Sequence, residues 1–359
     1  TFDYKGKLGG RPNVVPTYSS RSSLNPLTTD SSDDVVGLLE FGQGEWVESQ
    51  SGDEKLSIGV GRLPVITRQE ADIVVQKIID YEQNPSFGNW KRSFSLFADD
   101  ADNNIHLRDA EAHSTYLRVA NSEFFQNKLY LDRYEQIPNG DSQQSPEAKQ
   151  ALREVLTEGT LVVNYIGHGN ETTLTAEEVF RVEDIADFPE TSFLPLWVTA
   201  TCEFGRHDSP FIRSGAEELL TVQGKGAIGL LTTGRPVFSS VNFRLNEAFV
   251  REIYKKENGT YQDLGSIFKN TKNNSLNGAL NRNFSLLGDP SLRLNYPDLE
   301  IEIGEFKDAD GNPIENFAPL SEVFYQGKVT NPLNGNDMTT FNGTVEVELM
   351  DRPVSIKTL

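Results

Sequence analysis

Two continuous apolar runs, LVVNYIGHG (Leu161 to Gly169) and PLWVTATCEFG (Pro195 to Gly205), constrain this chain more than any other feature. Each has the length of a strand buried on both faces, and each stops in glycine and polar residues. Ligands of open α/β sheets bind in the crevice outside the carboxyl ends of the strands. The first run delivers His168 to such an end, and the second delivers Cys202, the only cysteine in the chain. A thiol and an imidazole placed this way are a candidate nucleophile and base.

Around these runs, strands alternate with helices. After a loop-rich opening, Thr1 to Asp34, with VVPTYSS as its one candidate strand, Val35 to Gly42 and Leu56 to Val65 read as short strands around an acidic hairpin. Thr67 is placed to cap a helix through Tyr81, because Ile73, Val74, Lys77, Ile78 and Tyr81 recur at helical spacing and Glu70 stands at the third position. SFSLFADD is a strand running out into Asp99, Asp100 and Asp102, followed by a helix from about Asp109 to Ala120. KLYLD is the next strand, and a helix from about Ser145 to Leu156 has Pro146 at its first position. Helices are also expected over Ala176 to Ile185, Ser214 to Val222 and Asn242 to Tyr254, with a strand over Gly226 to Thr233. This alternation predicts an α/β fold with a mostly parallel sheet and helices on both faces. Past LLGDPSL the character changes: from Pro297, LEIEIGEFKDADGNPIENF and FNGTVEVELMD alternate apolar and polar residues around turns. The expected division is a catalytic α/β domain over 1–296 and the start of a β-sandwich over 297–359.

The chain has 359 residues, enough for a large core and more than one domain. A formal charge of −20 argues against nucleic acid or an anionic membrane surface as the main partner. An acidic surface also attracts calcium. No apolar run reaches the roughly 18 to 20 residues of a membrane helix. The opening TFDYKGKLGG lacks a signal peptide's basic and apolar regions, and the chain reads as a piece of something longer.

A cysteine hydrolase needs a thiolate, a nearby imidazole, a group that orients the imidazole, and donors for an oxyanion. Cys202 follows His168 by 34 positions, room for one crossover between parallel neighbours. Gly169 lets substrate approach a backbone N–H, which with the N–H of Cys202 makes a two-donor oxyanion hole. Asp99 is the best-placed orienting carboxylate, with Asp100 its near alternative. A lone cysteine on a strand is most often a small core residue, whereas a histidine flanked by glycines sits where the backbone opens. His207 is a rival base expected on the rim, and His106 and His113 are expected on the surface. The aspartates of ADDADNN are either a solvated loop or a calcium site without the EF-hand pattern. Cys202, His168 and His207 offer too few thiolates for structural zinc, and no phosphate-binding glycine loop is present.

NYIGHG with a downstream TATCEFG, preceded by GRLPVITRQEADIVVQKIIDYE and ADDADNN and closed by LLGDPSL, resembles the gingipain family of cysteine peptidases, peptidase family C25, from about Val14 to Asn295. The resemblance implies a caspase-like α/β fold, a His168–Cys202 dyad supported by Asp99, no required cofactor, and an immunoglobulin-like domain after the catalytic part. Gingipains carry Asn-Gly after the cysteine, where this chain has Glu203, Phe204 and Gly205. TCEFGRHD and KGAIGLLTTGRPVFSS look closer to the surface sortase branch of the type IX secretion system. That likeness implies removal of the C-terminal signal domain of secreted cargo at the outer membrane and transfer of the new carboxyl end to anionic lipopolysaccharide. It also implies the outer-membrane β-barrel protein PorV as partner. Phe238, in the loop after the next strand, is a candidate for lining the substrate cleft. A freely secreted digestive peptidase and an inactive scaffold of the secretion machinery remain the alternatives.

Overall fold

The computed structural model describes residues 15–19, 29, 31–41, 43, 54–83, 88–140, 142–209, 211–276, 279–318, 320–331 and 334–345. Residues 1–14 of the opening stretch, 44–53 of the expected hairpin and 346–351 of the last expected strand lie outside these. The chain divides into two compact units, the larger holding 1–255 with 262–295 and the smaller 256–261 with 296–356.

The larger unit is built on a sheet of β1 (Ser93–Ala98), β2 (Phe125–Tyr130), β3 (Val162–Ile166), β4 (Leu196–Ala200), β5 (Gly229–Thr233) and β6 (Phe284–Leu287). Their spatial order is β6-β5-β4-β3-β1-β2. All pairs are parallel except β6 on β5. Every residue of β1, β3, β4 and β5 is buried, as continuous apolar runs require when both faces are covered. Polar residues inside these strands pair with one another: Thr199 Oγ1 donates to Thr232 Oγ1 at 2.6 Å, which spares the cost of an unsatisfied buried group.

Among the described residues the helices of seven or more residues are α1 (Arg68–Glu82), α2 (Ile105–Ala120), α3 (Pro146–Glu158), α4 (Gly215–Thr221), α5 (Ser239–Glu252) and α6 (Leu264–Asn273). α1 starts where its cap predicts, with the Thr67 hydroxyl accepting from Glu70 N–H at 3.0 Å. Leu152 of α3 and Leu219 of α4 share a core with Phe97, Val163, Tyr165 and Trp197 on one face of the sheet. The next residue of β3, Asn164, points to the other face and exchanges two hydrogen bonds, 2.7 and 2.8 Å, with Asn246 of α5. Helices therefore cover both faces, as the alternation predicts.

Three local expectations are corrected. Asp34–Gly37 is a short 3-10 turn where a strand was expected, and over Leu56 to Val65 only Arg62 bridges the sheet, at Leu287. Glycines there allow contact closer than a strand's side chains permit: a Cβ on Gly61 would lie 2.4 Å from the Gly288 carbonyl. Over Ala176 to Ile185, in place of a helix, Thr173–Leu174 pairs with Phe180–Arg181 and a 3-10 turn follows. Left-handed Thr175 and Glu178 turn the chain back there. In the smaller unit, β7 (Glu300–Ile303) and β8 (Gly327–Thr330) pair antiparallel. That unit also pairs Lys256–Glu257 with Thr260–Tyr261 and bridges Lys307 to Pro313 and Phe324; among the described residues these pairings do not show the expected immunoglobulin-like sandwich.

Candidate active site

The chain runs from β1 outward to β2, returns across β1 to β3, and then proceeds outward through β4 and β5. The order of the sheet thus reverses between β1 and β3, and a crevice opens at their carboxyl ends. Asp99 follows the last residue of β1, and His168 stands two residues past β3. Cys202 stands two residues past β4. Because Ala200 and Ile166 are register partners in the parallel β4–β3 pair, the thiol and the imidazole leave aligned strand ends at the same offset.

Glycines let the two loops close on their neighbours. A Cβ on Gly167 would lie 2.3 Å from the Asp99 Cβ, and one on Gly169 would lie 2.7 Å from Thr201 Oγ1. The first contact brings the His168 N–H to Asp99 Oδ2 at 2.8 Å, and the second packs the histidine loop against the residue preceding Cys202. The Tyr165 hydroxyl donates to the His168 carbonyl and accepts from Thr175 N–H at 3.1 Å. Thr175 N–H also donates to the His168 carbonyl at 3.0 Å. The backbone of His168 is thus fixed from both sides.

Its ring is held differently. Asp99, the expected orienting carboxylate, meets the backbone, and the group facing the imidazole is Asp102, whose Oδ2 is 2.8 Å from Nε2. Asp102 reaches it from a run of four left-handed residues, Ala101 to Asn104, which turns the chain sharply after β1. With Asp102 as the acceptor, Nε2 carries the hydrogen, and in the neutral ring Nδ1 then keeps the lone pair of a base. The ring is 56% exposed, open to a substrate.

Cys202 is half-buried, its Sγ 3.7 Å from the Val237 carbonyl. Its loop is fastened by Gly205 N–H to the Thr233 carbonyl at 2.8 Å and by Arg206, which pairs with Glu171 at 2.9 Å and Glu203 at 3.2 Å. Phe238, beside Val237 and 59% exposed, flanks the thiol's loop. Gly169 bridges Leu174, but the bonds of that bridge run from Thr175 N–H to His168 and from Asn170 N–H to Thr173. Among the described residues neither the Gly169 N–H nor the Cys202 N–H has a hydrogen-bond acceptor.

Burial pushes the Asp99 carboxyl up to about 7; Glu177 and Asp100 add to the rise, and the His168 N–H opposes it. Burial likewise raises Glu177, whose Oε2 has no hydrogen-bond partner. Ligand oxygens of Asp99, Asp100 and Glu177 lie within 4.8 Å of one another, a donor set of the kind calcium takes. The surface placement expected for His106 and His113 is corrected: they are 5% and 2% exposed. Both lie on the stripe of α2 that also buries Ala110 and Leu117, so a charged-looking segment hides its histidines inward. Burial lowers His113 to about 4, and its ring stacks on Phe243 at 5.2 Å. His207 sits 3.3 Å from the Gly205 carbonyl through Nδ1, and burial lowers it too.

An α/β sheet whose adjoining strand ends carry a thiol and an imidazole with a carboxylate on its far nitrogen is the framework of a cysteine peptidase. Residues 1–295 match Peptidase family C25, and the chain belongs to that family of cysteine peptidases. Its fold is similar to that of the Arg-specific cysteine proteinase gingipain R, with a TM-score of 0.59 at 15% identity, covering 86% of this chain and 72% of that one. It is also similar to the complex of RgpB pro- and mature domains from Porphyromonas gingivalis, with 0.57 at 14%, covering 86% and 73%. At these identities the likeness shows the fold alone. Dimeric latent PorU from Porphyromonas gingivalis aligns with a TM-score of 0.35 at 21% identity over 91% of this chain and 25% of that one, too low to argue from. Among curated proteins none matches.

Proposed function

We propose that this peptidase is a sortase of the PorU kind. It removes the C-terminal signal domain of type IX secretion cargo at the outer face of the outer membrane, with PorV as partner, and passes the new carboxyl end to anionic lipopolysaccharide. The observation that carries the catalytic part is the aligned offset of Cys202 and His168 past register-paired strand ends. The Cys202 sulfur gives its proton to His168 Nδ1 and attacks the peptide carbonyl. The N–H groups of Gly169 and Cys202 face the oxyanion. His168 then protonates the departing amine, leaving a thioester on Cys202. An amine of the acceptor, or water, gives a proton to His168 as it attacks, and His168 returns that proton to the departing sulfur, which restores the Cys202 thiol. Phe238 contacts the peptide beside the thiol. The carboxylates of Asp99, Asp100 and Glu177 would hold calcium.

The sortase half rests on TCEFGRHD and KGAIGLLTTGRPVFSS. Incubating the protein with a cargo that bears its C-terminal domain, together with an amine-bearing anionic lipopolysaccharide, tests it by the mass of the new carboxyl end. A conjugate mass that disappears in Cys202→Ala is the expected result. Free carboxyl ends alone, with broad cleavage of unrelated peptides, identify a digestive hydrolase. Maturation unchanged in Cys202→Ala identifies a scaffold.

A further inference from the structure

Asp102 stands between two imidazoles. Its Oδ2 is 2.8 Å from His168 Nε2 and 3.7 Å from His106 Nε2, and one ligand atom from each of the three residues lies within 4.8 Å of the others. The His106 ring meets the His168 ring edge-on at 5.2 Å. His106 is 5% exposed, and both of its ring nitrogens are buried without a hydrogen-bond partner. An imidazole always offers at least one N–H, and a neutral one a lone pair as well, so an unpartnered ring in the interior is a standing cost. This ring is aimed at a carboxylate that already holds a second ring.

Two imidazoles and one carboxylate suit zinc, and hard cations such as calcium and magnesium prefer all-oxygen sets. Bonds of about 2.0 to 2.1 Å in a tetrahedron place neighbouring ligand atoms about 3.3 Å apart. The two distances from Asp102, 2.8 and 3.7 Å, straddle that value, and the third, between the two imidazoles, lies within 4.8 Å. Asp102 and His168 are both more than half exposed, which leaves an open fourth position for water.

We propose that Asp102, His106 and His168 form a zinc site that shares the catalytic imidazole, so that zinc binding and peptide cleavage exclude each other. The exclusion follows from the tautomer. In the metal-free protein Nε2–H donates to Asp102 and Nδ1 takes the thiol proton. With zinc on Nε2 the single remaining hydrogen of the neutral ring moves to Nδ1, which then has no lone pair for Cys202. Binding itself is independent of the peptidase reading; the inhibition rests on it.

Zinc binding is measured on the full chain with Cys202→Ala, which removes the thiol as a competing ligand, by titration against a chromophoric chelator. One equivalent should bind, and adding His106→Asn or Asp102→Asn should weaken it by about tenfold or more. Asp102 is exposed, so its variant keeps the test valid if the buried His106 substitution unfolds the chain, which melting in EDTA detects. No binding, or binding indifferent to both substitutions, overturns the site. In the active chain zinc should inhibit peptide cleavage reversibly to EDTA, and His106→Asn should keep the EDTA-treated activity while resisting zinc by about tenfold. Inhibition unchanged in that variant overturns the shared site and leaves the peptidase standing. Metal binding as expected in a chain without any cleavage activity would sink the peptidase reading and leave the site.

Discussion

The loop that carries His168 and the loop that carries Cys202 leave neighbouring strands at the same offset, yet they are held by different means. The histidine loop is fixed through its backbone by buried groups, Asp99, Tyr165 and Thr175, around two glycines that admit no Cβ. Only its ring is free, and one half-exposed carboxylate steers it. The cysteine loop turns at left-handed Glu203 and is anchored by buried Phe204, by the Gly205 N–H on the Thr233 carbonyl, and by Gly205 itself, whose Cβ would lie 2.1 Å from Thr232 Cγ2; the part-buried ion pairs of Arg206 lie outside these. Buried hydrogen bonds are costly to break, and the outer, part-buried ion pairs add less. Both backbones are thus built in place, and the difference lies in the side chains: a carboxylate steers the imidazole, whereas the thiol meets a backbone carbonyl.

Substitutions at the buried backbone anchors and at the outer side chains should therefore differ in size. The largest effect is expected from Gly167→Ala, whose methyl would fall 2.3 Å from the Asp99 Cβ. It should cost about 3 kcal/mol or more in a denaturant titration and abolish cleavage, since β1 and β3 must part to admit it. Asp102→Asn comes next. It should lower kcat by about 10- to 100-fold with KM and melting temperature nearly unchanged, because the residue positions a ring and supports no core. A comparable loss in KM would mean that Asp102 binds substrate instead.

Asp99→Asn probes the buried side of the comparison through pH. Asp99 keeps its proton to about pH 7 in the folded chain, against 3.8 for the free group. The folded state binds more protons across that window, so stability falls as pH rises through it. Without divalent ions the Asn variant should melt upwards of about 2 °C above the parent at pH 8 and level with it near pH 4. A gain of equal size at both pH values would contradict the assignment. The smallest effect belongs to Arg206→Ala, expected to cost less than about 1 kcal/mol and to change cleavage only modestly. A loss as large as that of Gly167→Ala would erase the distinction between buried anchors and outer ion pairs.

Much of this arrangement was legible because parallel strands buried on both faces read as uninterrupted apolar runs, and the reactive residues stand where two such runs stop. The antiparallel placement of β6 was not, since LLGDPSL is as apolar in either direction. Asp102 lay in a flagged acidic run, but which carboxylate meets the ring is decided by four left-handed residues that no local pattern announces. His106 and His113 carried a usable signal: with Ala110 and Leu117 they fall at helical spacing on one face, and the charged residues between them masked it. The Ala176 to Ile185 segment has helix-forming composition, and its turn back through Thr175 and Glu178 prevails only with tertiary contacts in place.

The central claim is that His168 makes Cys202 reactive from the neighbouring strand end. A peptide carrying a thiol-directed electrophile, reacted with the parent and with His168→Ala and followed by mass spectrometry, tests it directly. One adduct on Cys202 in the parent, formed about a hundredfold more slowly in the variant, is the expected result. Equal rates in the two proteins would show that the imidazole and the thiol do not work together.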